Sequence, residues 1–485
     1  MSDDARRGLP RPTGVRIAGD RYQWLHAWRL CLRVLNEQRT RNTPNPGTAV
    51  GVEADDAGNV DDVIYYRAAS PNDYAQVKYA VDARTPVNLE YLTNNGLLKK
   101  LVSSHRHVAR DGKRVRVALI TNRAIDPADL LLRDRDARDG RLVPRAAQGG
   151  PKSHRGLARK EWAEIAGVTE AELLAFFEDF YLETSEDVVS LRREVSLLMT
   201  ANGLQSDGRA IDAGADWVAR QVEDGHQRLS LDDIENAITM LSLRAGTPWT
   251  PISIATLSHD PLADQAQYAL DWVDRMDGDD AFTKVTPKPP ATWGQLASDI
   301  EQIPGHLGAH RRLLLTGTMR QAIGFKAGTV LRRVLGYEVG IRQGEQLWSS
   351  DVTTAAQAPT HHSRNLGLGS DPALVVSVAT DATDAVVNWI ERVGITVGTV
   401  HTALPEAGQV GPASVPDAET ASALAIGIRD LARQIAAPTG TLHLFLAGPL
   451  GLAALLGHHW NRVMPTVVYE HLGTTEYVEA FHVSA

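Results

Sequence analysis

Apolar positions in the first quarter of the chain follow two different periods. From Tyr22 to Leu35, the residues Trp24, Trp28, Cys31 and Leu35 recur at steps of four, three and four, the spacing of one helix face. The Pro/Asn/Gly segment TPNPGT then predicts a turn. Three short apolar runs follow, Ala49–Glu53, Asp62–Arg67 and Tyr74–Tyr79, separated by turn residues at Asp55–Asn59 and Ser70-Pro71-Asn72-Asp73. That alternation of strand and turn predicts a β-meander. A helix over Val87–Val108 and a buried strand, VRVALIT at Val115–Thr121, complete an α/β or α+β core with strands near its middle.

From Asp134 to Lys160 the chain is rich in Arg, Gly and Pro without a clear period, which predicts a basic loop or a boundary. Residues 161–245 read as helical throughout, with Ser230 as a capping residue, and Lys284–Pro290 (KVTPKPP) as a linker. Beyond it, a strand at Leu313–Leu315 runs through Thr316-Gly317 into a helix, then a second strand at Tyr337–Arg342. The same order recurs as Leu442–Leu446, Ala447-Gly448, a helix, then Thr466–Glu470. A third strand-to-helix unit, Leu374–Ile390, lies between the two copies. This predicts two βα-rich, Rossmann-like halves from one duplicated unit. The expected domains are 1–160, 161–290 as a helical extension and linker, and 291–485.

Charge sharpens this division. The whole chain carries 50 Lys+Arg against 59 Asp+Glu, a net −9. Residues 99–160 alone hold 17 basic and 6 acidic side chains, a balance of +11, whereas residues 161–292 hold 9 and 25, a balance of −16. A local basic excess of that size suits a polyanionic partner such as nucleic acid. Cys31 is the single cysteine, so an internal disulfide is excluded and a reducing cytoplasm is the expected compartment. The polar start of the chain, and the interruption of its longest apolar run (Leu444–Gly457) by Gly448-Pro449, predict neither a signal peptide nor a membrane span.

The chemistry concentrates in the meander. Glu53 ends its first strand, Asp61-Asp62 opens the second, and Gln76-Val77-Lys78 lies in the third. Residues two apart in a strand share a face, so Gln76 and Lys78 point the same way. Phosphodiester hydrolysis uses acidic oxygens to hold a hard cation such as Mg²⁺, with a positive charge beside the attacking water. Glu53, an aspartate and the amide oxygen of Gln76 supply the first, and Lys78 the second. Asp61 and Asp62 are both candidate metal ligands, Asp62 preferred because it directly precedes the apolar strand. Glu37 reads as an exposed helix-end acid, and the pairs His361-His362 and His458-His459 are unsuited to a metal because adjacent residues diverge.

The segments Gly19-Asp20-Arg21-Tyr22-Gln23, Val52-Glu53, Asp61-Asp62-Val63-Ile64 and Gln76-Val77-Lys78 resemble the PD-(D/E)xK endonuclease domain of CBASS anti-phage effectors. The C-terminal half resembles the SAVED domain of the same effectors, through LLLTGTMRQAIGFKAGTVL, Trp348-Ser349-Ser350, LFLAGPLGLAALLGHHW and VVYEH. This resemblance implies a restriction-endonuclease-like core joined to a CARF-like SAVED sensor. It implies a catalytic set of Glu53, Asp62, Gln76 and Lys78, with Mg²⁺ or Mn²⁺ as cofactor and double-stranded DNA as substrate. The implied activator is a cyclic oligonucleotide, usually a trinucleotide, made by a cGAS-like nucleotidyltransferase, and it promotes homo-oligomerisation.

In the sensor half, the turns at Gly317-Thr318-Met319 and Gly448-Pro449 open helices whose N-termini can receive phosphate. Arg320 and Lys326 follow the first turn as phosphate partners. Trp348, with Tyr337, Trp389, Trp460 and Tyr469, is available to stack on bases. The rival readings are a constitutive restriction-type nuclease that senses DNA modification and a protein that sequesters the signal. A nicotinamide enzyme ranks low, because no G-x-G-x-x-G with a following acid is present in either copy.

Overall fold

The computed structural model describes residues 12–58, 60, 62–110, 114–135, 141–405, 408–437, 440–473 and 475–484. The chain divides into two compact units, Met1–Thr247 and Pro248–Ala485. In the first, α1 (Pro12–Thr40), β1 (Gly47–Val52), β2 (Val63–Arg67) and β3 (Asn72–Lys78) lead to α2 (Leu89–Thr93), α3 (Leu97–Val108) and β4 (Val115–Thr121). Next come α4 (Val143–Ala146), α5 (His154–Ala166), α6 (Glu170–Asp179) and β5 (Phe180–Thr184). The unit closes with α7 (Val188–Ala201), α8 (Gly208–Glu223), β6 (Arg228–Ser230) and α9 (Leu231–Met240).

Its strands form one six-stranded sheet in the order β5-β4-β3-β2-β1-β6. β1, β2 and β3 make the antiparallel meander expected from the turn residues, and β4 and β5 add in parallel beside β3. One face packs Ile64, Tyr66 and Leu119 against Leu101 of α3, Trp162 of α5 and Phe176 of α6. The meander also packs against α1, which in turn meets α7 and α8. Covered from several sides, α1 is buried over far more than the Trp24–Trp28–Cys31–Leu35 stripe, and Leu25, Ala27, Leu32 and Val34 are buried with it.

Four expectations change here. The helix over 87–108 is broken, because Asn95 and Gly96 take left-handed backbone angles between α2 and α3. Phe180–Thr184 is a strand inside a stretch read as helical: Phe180 and Leu182 face the core and extend the sheet beside β4. The Arg-rich segment is partly helical, and Arg159 in α5 is buried, donating to the carbonyls of Ala146, Gln148 and Gly149. Residues 248–290 belong to the second unit, and the supposed linker begins at a buried lysine, Lys284, that donates to Val273 O at 2.8 Å.

The second unit opens with β7 (Thr250–Ala255), β8 (Tyr268–Asp271), α10 (Trp293–Glu301), α11 (Ile303–His306) and β9 (Arg312–Thr316). It continues through α12 (Gln321–Val330), β10 (Glu338–Gln343), β11 (Gln346–Ser349), β12 (Thr360–Asn365), β13 (Asp371–Ser377) and α13 (Thr383–Val393). β14 (Val397–Leu404), α14 (Ala418–Gln434), β15 (Leu442–Ala447), α15 (Leu450–His459), β16 (Thr466–His471) and β17 (Tyr477–Val483) end it. Two sheets result, β11-β10-β9-β7-β8 and β12-β14-β13-β15-β16-β17.

Each sheet contains a strand, a helix, a parallel strand and then an antiparallel strand: β9–α12–β10–β11 and β15–α15–β16–β17. This is the repeat whose two turns hold Gly317 and Gly448. Helices α12 and α15 pack against one another so closely that a Cβ on Gly328 would overlap Ala454 O, and one on Gly457 would overlap Phe325 O. Among the described residues, no helix is long and apolar enough to cross a membrane.

Candidate functional site

The meander brings Glu53, Asp62, Gln76 and Lys78 to one place. Asp62 lies just before β2 and is 8% exposed. Its Oδ2 accepts the Val77 N–H at 2.7 Å and a short hydrogen bond from Gln76 Nε2, and Lys78 Nζ stands 3.5 Å away. The antiparallel pairing of β2 with β3 sets this up, because Val63 faces Ala75 and so the residue ahead of β2 meets the 76–78 stretch. Val77 is buried, while Gln76 and Lys78 line a cavity of about 230 Å³.

Glu53 is joined to this group by a residue outside the expected set. Gln23 of α1 donates from Nε2 to Glu53 Oε1 at 2.7 Å and to the backbone oxygen of Asp62 at 3.1 Å. Glu53 itself has a left-handed backbone, φ 51°, and its carbonyl accepts from Gln227 Nε2 at 2.7 Å. A helix-to-strand bridge of this kind leaves no periodic signal, although Gln23 sits in the GDRYQ segment singled out above. Asp61 lies outside the described residues.

The cavity is completed by Tyr91, Asn94, Asn95, Leu97 and Lys100. These were missed as site residues because the break between α2 and α3 was read as continuous helix. The Asn94-Asn95-Gly96 run was the available signal. The acidic network behind α1 is structural: buried Arg29 is 3.0 Å from Glu194 and 3.3 Å from Glu186, and burial pushes the Glu186 carboxyl up to about 7. Glu37 is buried, not exposed, and accepts the Gly47 N–H at 2.8 Å.

The donor set can be tested against a hard cation. Two carboxylates and an amide give oxygen ligands only, the chemistry Mg²⁺ or Mn²⁺ takes, and Mg²⁺ is commonly held by one or two carboxylates while keeping waters. Among the described residues, no group of three or more His, Cys, Asp or Glu side chains is placed to hold a metal ion. A cation held by Glu53, Asp62 and Gln76 would have to complete its shell with water and substrate oxygens. Much of the basic excess nearby is spent internally, since Arg106 pairs with Glu172, Arg116 with Asp73, Arg155 with Asp134 and Arg159 with Glu170. Lys100 is the residue of that segment that reaches the cavity wall.

The second unit holds a larger cavity of about 560 Å³. In an open parallel sheet, ligands bind beyond the strand C-termini where the chain order reverses direction. β13 lies between β14 and β15, and β7 lies between β8 and β9, so each sheet has one such crevice. The residues after β13 (Ala379–Ala382) and around the end of β15 (Leu446–Gly448) line the cavity from one sheet. Leu257, Met319, Arg320 and Gln321 line it from the other, with Glu470, His471 and Tyr477 completing the wall.

Of the residues expected to hold a ligand, Met319, Arg320 and Gly448 line this cavity. Gly317 is a turn glycine at φ 84°, where a Cβ would overlap Ile254 O, and Thr318 Oγ1 bonds Ser258. Pro449 is the N-cap of α15. Lys326 is corrected: it is buried on α12 with its ammonium on Glu301, and it does not line the cavity. Trp348 is also corrected, being 3% exposed and packed at Gly451. Tyr337, Trp389, Trp460 and Tyr469 are likewise core residues, filling space between sheets and helices.

At each of the two expected helix N-termini one first-turn N–H is already taken. Ala322 N–H of α12 is taken by Glu470 Oε2 at 3.0 Å, and Gly451 N–H of α15 by Gln343 Oε1 at 3.1 Å. Gly448 N–H goes to Gln321 Oε1 at 3.1 Å, and Asp381 Oδ1 caps α13 through Thr383 N–H at 2.9 Å. Arg320 is committed to the carbonyls of Lys284 and Phe282 at 2.9 and 2.8 Å.

Comparison with known proteins places the second unit in a class: residues 296–483 match the SAVED family model, described as the SMODS-associated and fused to various effectors sensor domain. The chain is 23% identical to CD-NTase-associated protein 4 of Enterobacter hormaechei subsp. hoffmannii (strain UCI 50), over 93% of this chain and 95% of that one. A solved Cap4 SAVED/CARF-domain containing receptor of Acinetobacter baumannii, with the cyclic trinucleotide 3'3'3'-cAAA, is 13% identical at a TM-score of 0.42, covering 99% and 100% of the two chains. The Cap4 receptor of Moraxella osloensis is 15% identical at a TM-score of 0.40, covering 96% and 99%. Residues 296–483 thus make a SAVED sensor domain, and the chain as a whole is similar to Cap4-type CBASS effectors.

Proposed function

We propose that this chain is a DNA endonuclease of anti-phage defence, switched on when its SAVED domain binds a cyclic oligonucleotide. The observation that carries the catalytic half is the convergence on Asp62: its carboxylate gathers Gln76, the Val77 N–H and Lys78, and Gln23 ties Glu53 to the same point. The PD-(D/E)xK reading of the first unit, and the roles given below, rest on that geometry and on the motif resemblance.

In this reading Glu53, Asp62 and Gln76 would hold Mg²⁺ or Mn²⁺, which would supply Lewis-acid chemistry to a phosphodiester oxygen and to water. Lys78, half-exposed beside Asp62, orients the attacking water and offsets the charge growing on the phosphoryl oxygens. Lys100 and the asparagines of the α2–α3 break position the DNA backbone over the cavity. The sensing half is supported by the cavity where two switch-point crevices meet. The cyclic signal of a nucleotidyltransferase enters there and drives self-association into the active homo-oligomer.

The test is plasmid cleavage with Mg²⁺, with and without a panel of cyclic di- and trinucleotides, read beside particle size. Ligand-dependent cleavage that disappears in Lys78→Ala is the expected outcome. Equal cleavage with and without every ligand would overturn the gating, and an active Lys78→Ala would overturn the catalytic assignment.

A further inference from the structure

The duplicated halves of the second unit cap each other's helices. β10 follows α12 but supplies Gln343 to α15, and β16 follows α15 but supplies Glu470 to α12. Both side chains accept the N–H of the second helical residue, Gly451 in one case and Ala322 in the other. A neutral amide thus does in one half what a carboxylate does in the other. The two positions differ in their surroundings: Glu470 lines the 560 Å³ cavity, and Gln343 is not among the residues lining it. Capping alone does not call for the charge at 470.

Glu470 is 6% exposed, and burial pushes its carboxyl up to about 7. Burial thus outweighs the Ala322 and His471 N–H groups and the Arg320 charge, which favour the ionised form. A carboxylate has about four acceptor sites, and the backbone N–H groups of Ala322 and His471 occupy part of that capacity. Three other polar groups of the wall make bonds of their own. Asp381 accepts from Thr383 N–H and Oγ1, Arg320 donates to two carbonyls, and Gln321 accepts from Gly448. Above about pH 7, where this carboxyl is ionised, a base edge entering the cavity meets a buried acceptor at Glu470, and such an acceptor rejects a partner that cannot donate to it.

We propose that Glu470 is a specificity-determining residue of the sensor cavity, accepting a hydrogen bond from the exocyclic amino group of a base in the cyclic oligonucleotide. This rests on the sensor reading above. The signal is then one that carries an amino-bearing base at this position, in preference to uracil, which presents a carbonyl there.

The experiment measures affinities of the full-length protein for cyclic tri-adenylate and cyclic tri-uridylate of the same linkage, using wild type, Glu470→Gln and Glu470→Ala. Wild type binds the adenylate more tightly, by about tenfold or more, the range of a hydrogen bond to a charged group. Glu470→Gln keeps an oxygen on Ala322 N–H, as Gln343 does for Gly451, and turns an amide donor to the cavity, so the preference reverses toward the uridylate. Glu470→Ala brings the ratio close to one. A merely structural role moves both ligands by the same factor in Glu470→Gln, and that result would overturn the proposal, as would a wild-type preference for the uridylate. A wild-type chain that binds neither these nor other cyclic oligonucleotides overturns the sensor reading itself, a failure visible without any variant.

Discussion

Replacing Gln23 by leucine tests how the proposed metal site is built. Gln23 is 9% exposed, and its amide nitrogen reaches both Glu53 Oε1 at 2.7 Å and the Asp62 carbonyl at 3.1 Å. Leucine keeps the volume within α1 and deletes both bonds. A hydrogen bond to a charged group contributes about 1.5–3 kcal/mol, and the Glu53 backbone stays fixed by Gln227 at 2.7 Å. The loss should therefore fall on the orientation of the Glu53 carboxylate. If that orientation is needed for metal binding, cleavage drops about ten- to a hundredfold at limiting Mg²⁺ and recovers in part as Mg²⁺ is raised. The assay is ligand-activated plasmid cleavage across a Mg²⁺ titration, beside a thermal melt showing that the protein remains folded. A Gln23→Leu protein with wild-type rate and wild-type Mg²⁺ dependence would refute the claim that α1 positions the site.

Asp62→Asn should retain the fold, because an amide oxygen can still accept the Val77 N–H, yet lose about a hundredfold or more in cleavage. Melting and cleavage measured on one preparation check this, and full activity would count against Asp62 as a metal ligand. Gly328→Ala places a methyl group 2.6 Å from the His458 backbone nitrogen and against Ala454 O, where no side chain can move aside. It should destabilise the second unit by about 1–3 kcal/mol as an overpacked contact, seen in urea denaturation. Glu470 has a folded pKa raised to about 7 by burial, with Ala322 N–H and Arg320 opposing. A raised acid pKa gives stability that is fully present below the ordinary glutamate value and is lost as pH rises through about 7. Glu470→Gln should accordingly gain in melting temperature over wild type as pH goes from 5 to 8, and a constant difference would contradict the assignment.

The meander and the strand Val115–Thr121 were legible because alternation, turn residues and buried runs all gave the same answer there. The strand that ends at Gln76-Val77-Lys78 was readable for the same reason, and the fold adds the partner atoms. Strand β5 was not legible: Phe180 continues the apolar run of α6, and only pairing with β4 makes it extended. Lys326 and Trp348 looked available because charge and aromaticity usually mark surfaces and ligand sites, yet the α12–α15 contact buries the region around them. The capping of α12 by Glu470 joins residues 148 apart in sequence, a relation that no local pattern carries. The repeat of strand, Gly turn and helix showed that two halves exist. It did not show that each half caps the other.

The central claim is that a cyclic oligonucleotide bound in the second unit switches on hydrolysis at Glu53, Asp62, Gln76 and Lys78 in the first. The most direct measurement is plasmid cleavage by wild type and Lys78→Ala, each with Mg²⁺, with and without the tightest-binding cyclic oligonucleotide. The account predicts cleavage in one of the four reactions, wild type with ligand. Cleavage by Lys78→Ala, or by wild type equally in both conditions, would contradict it.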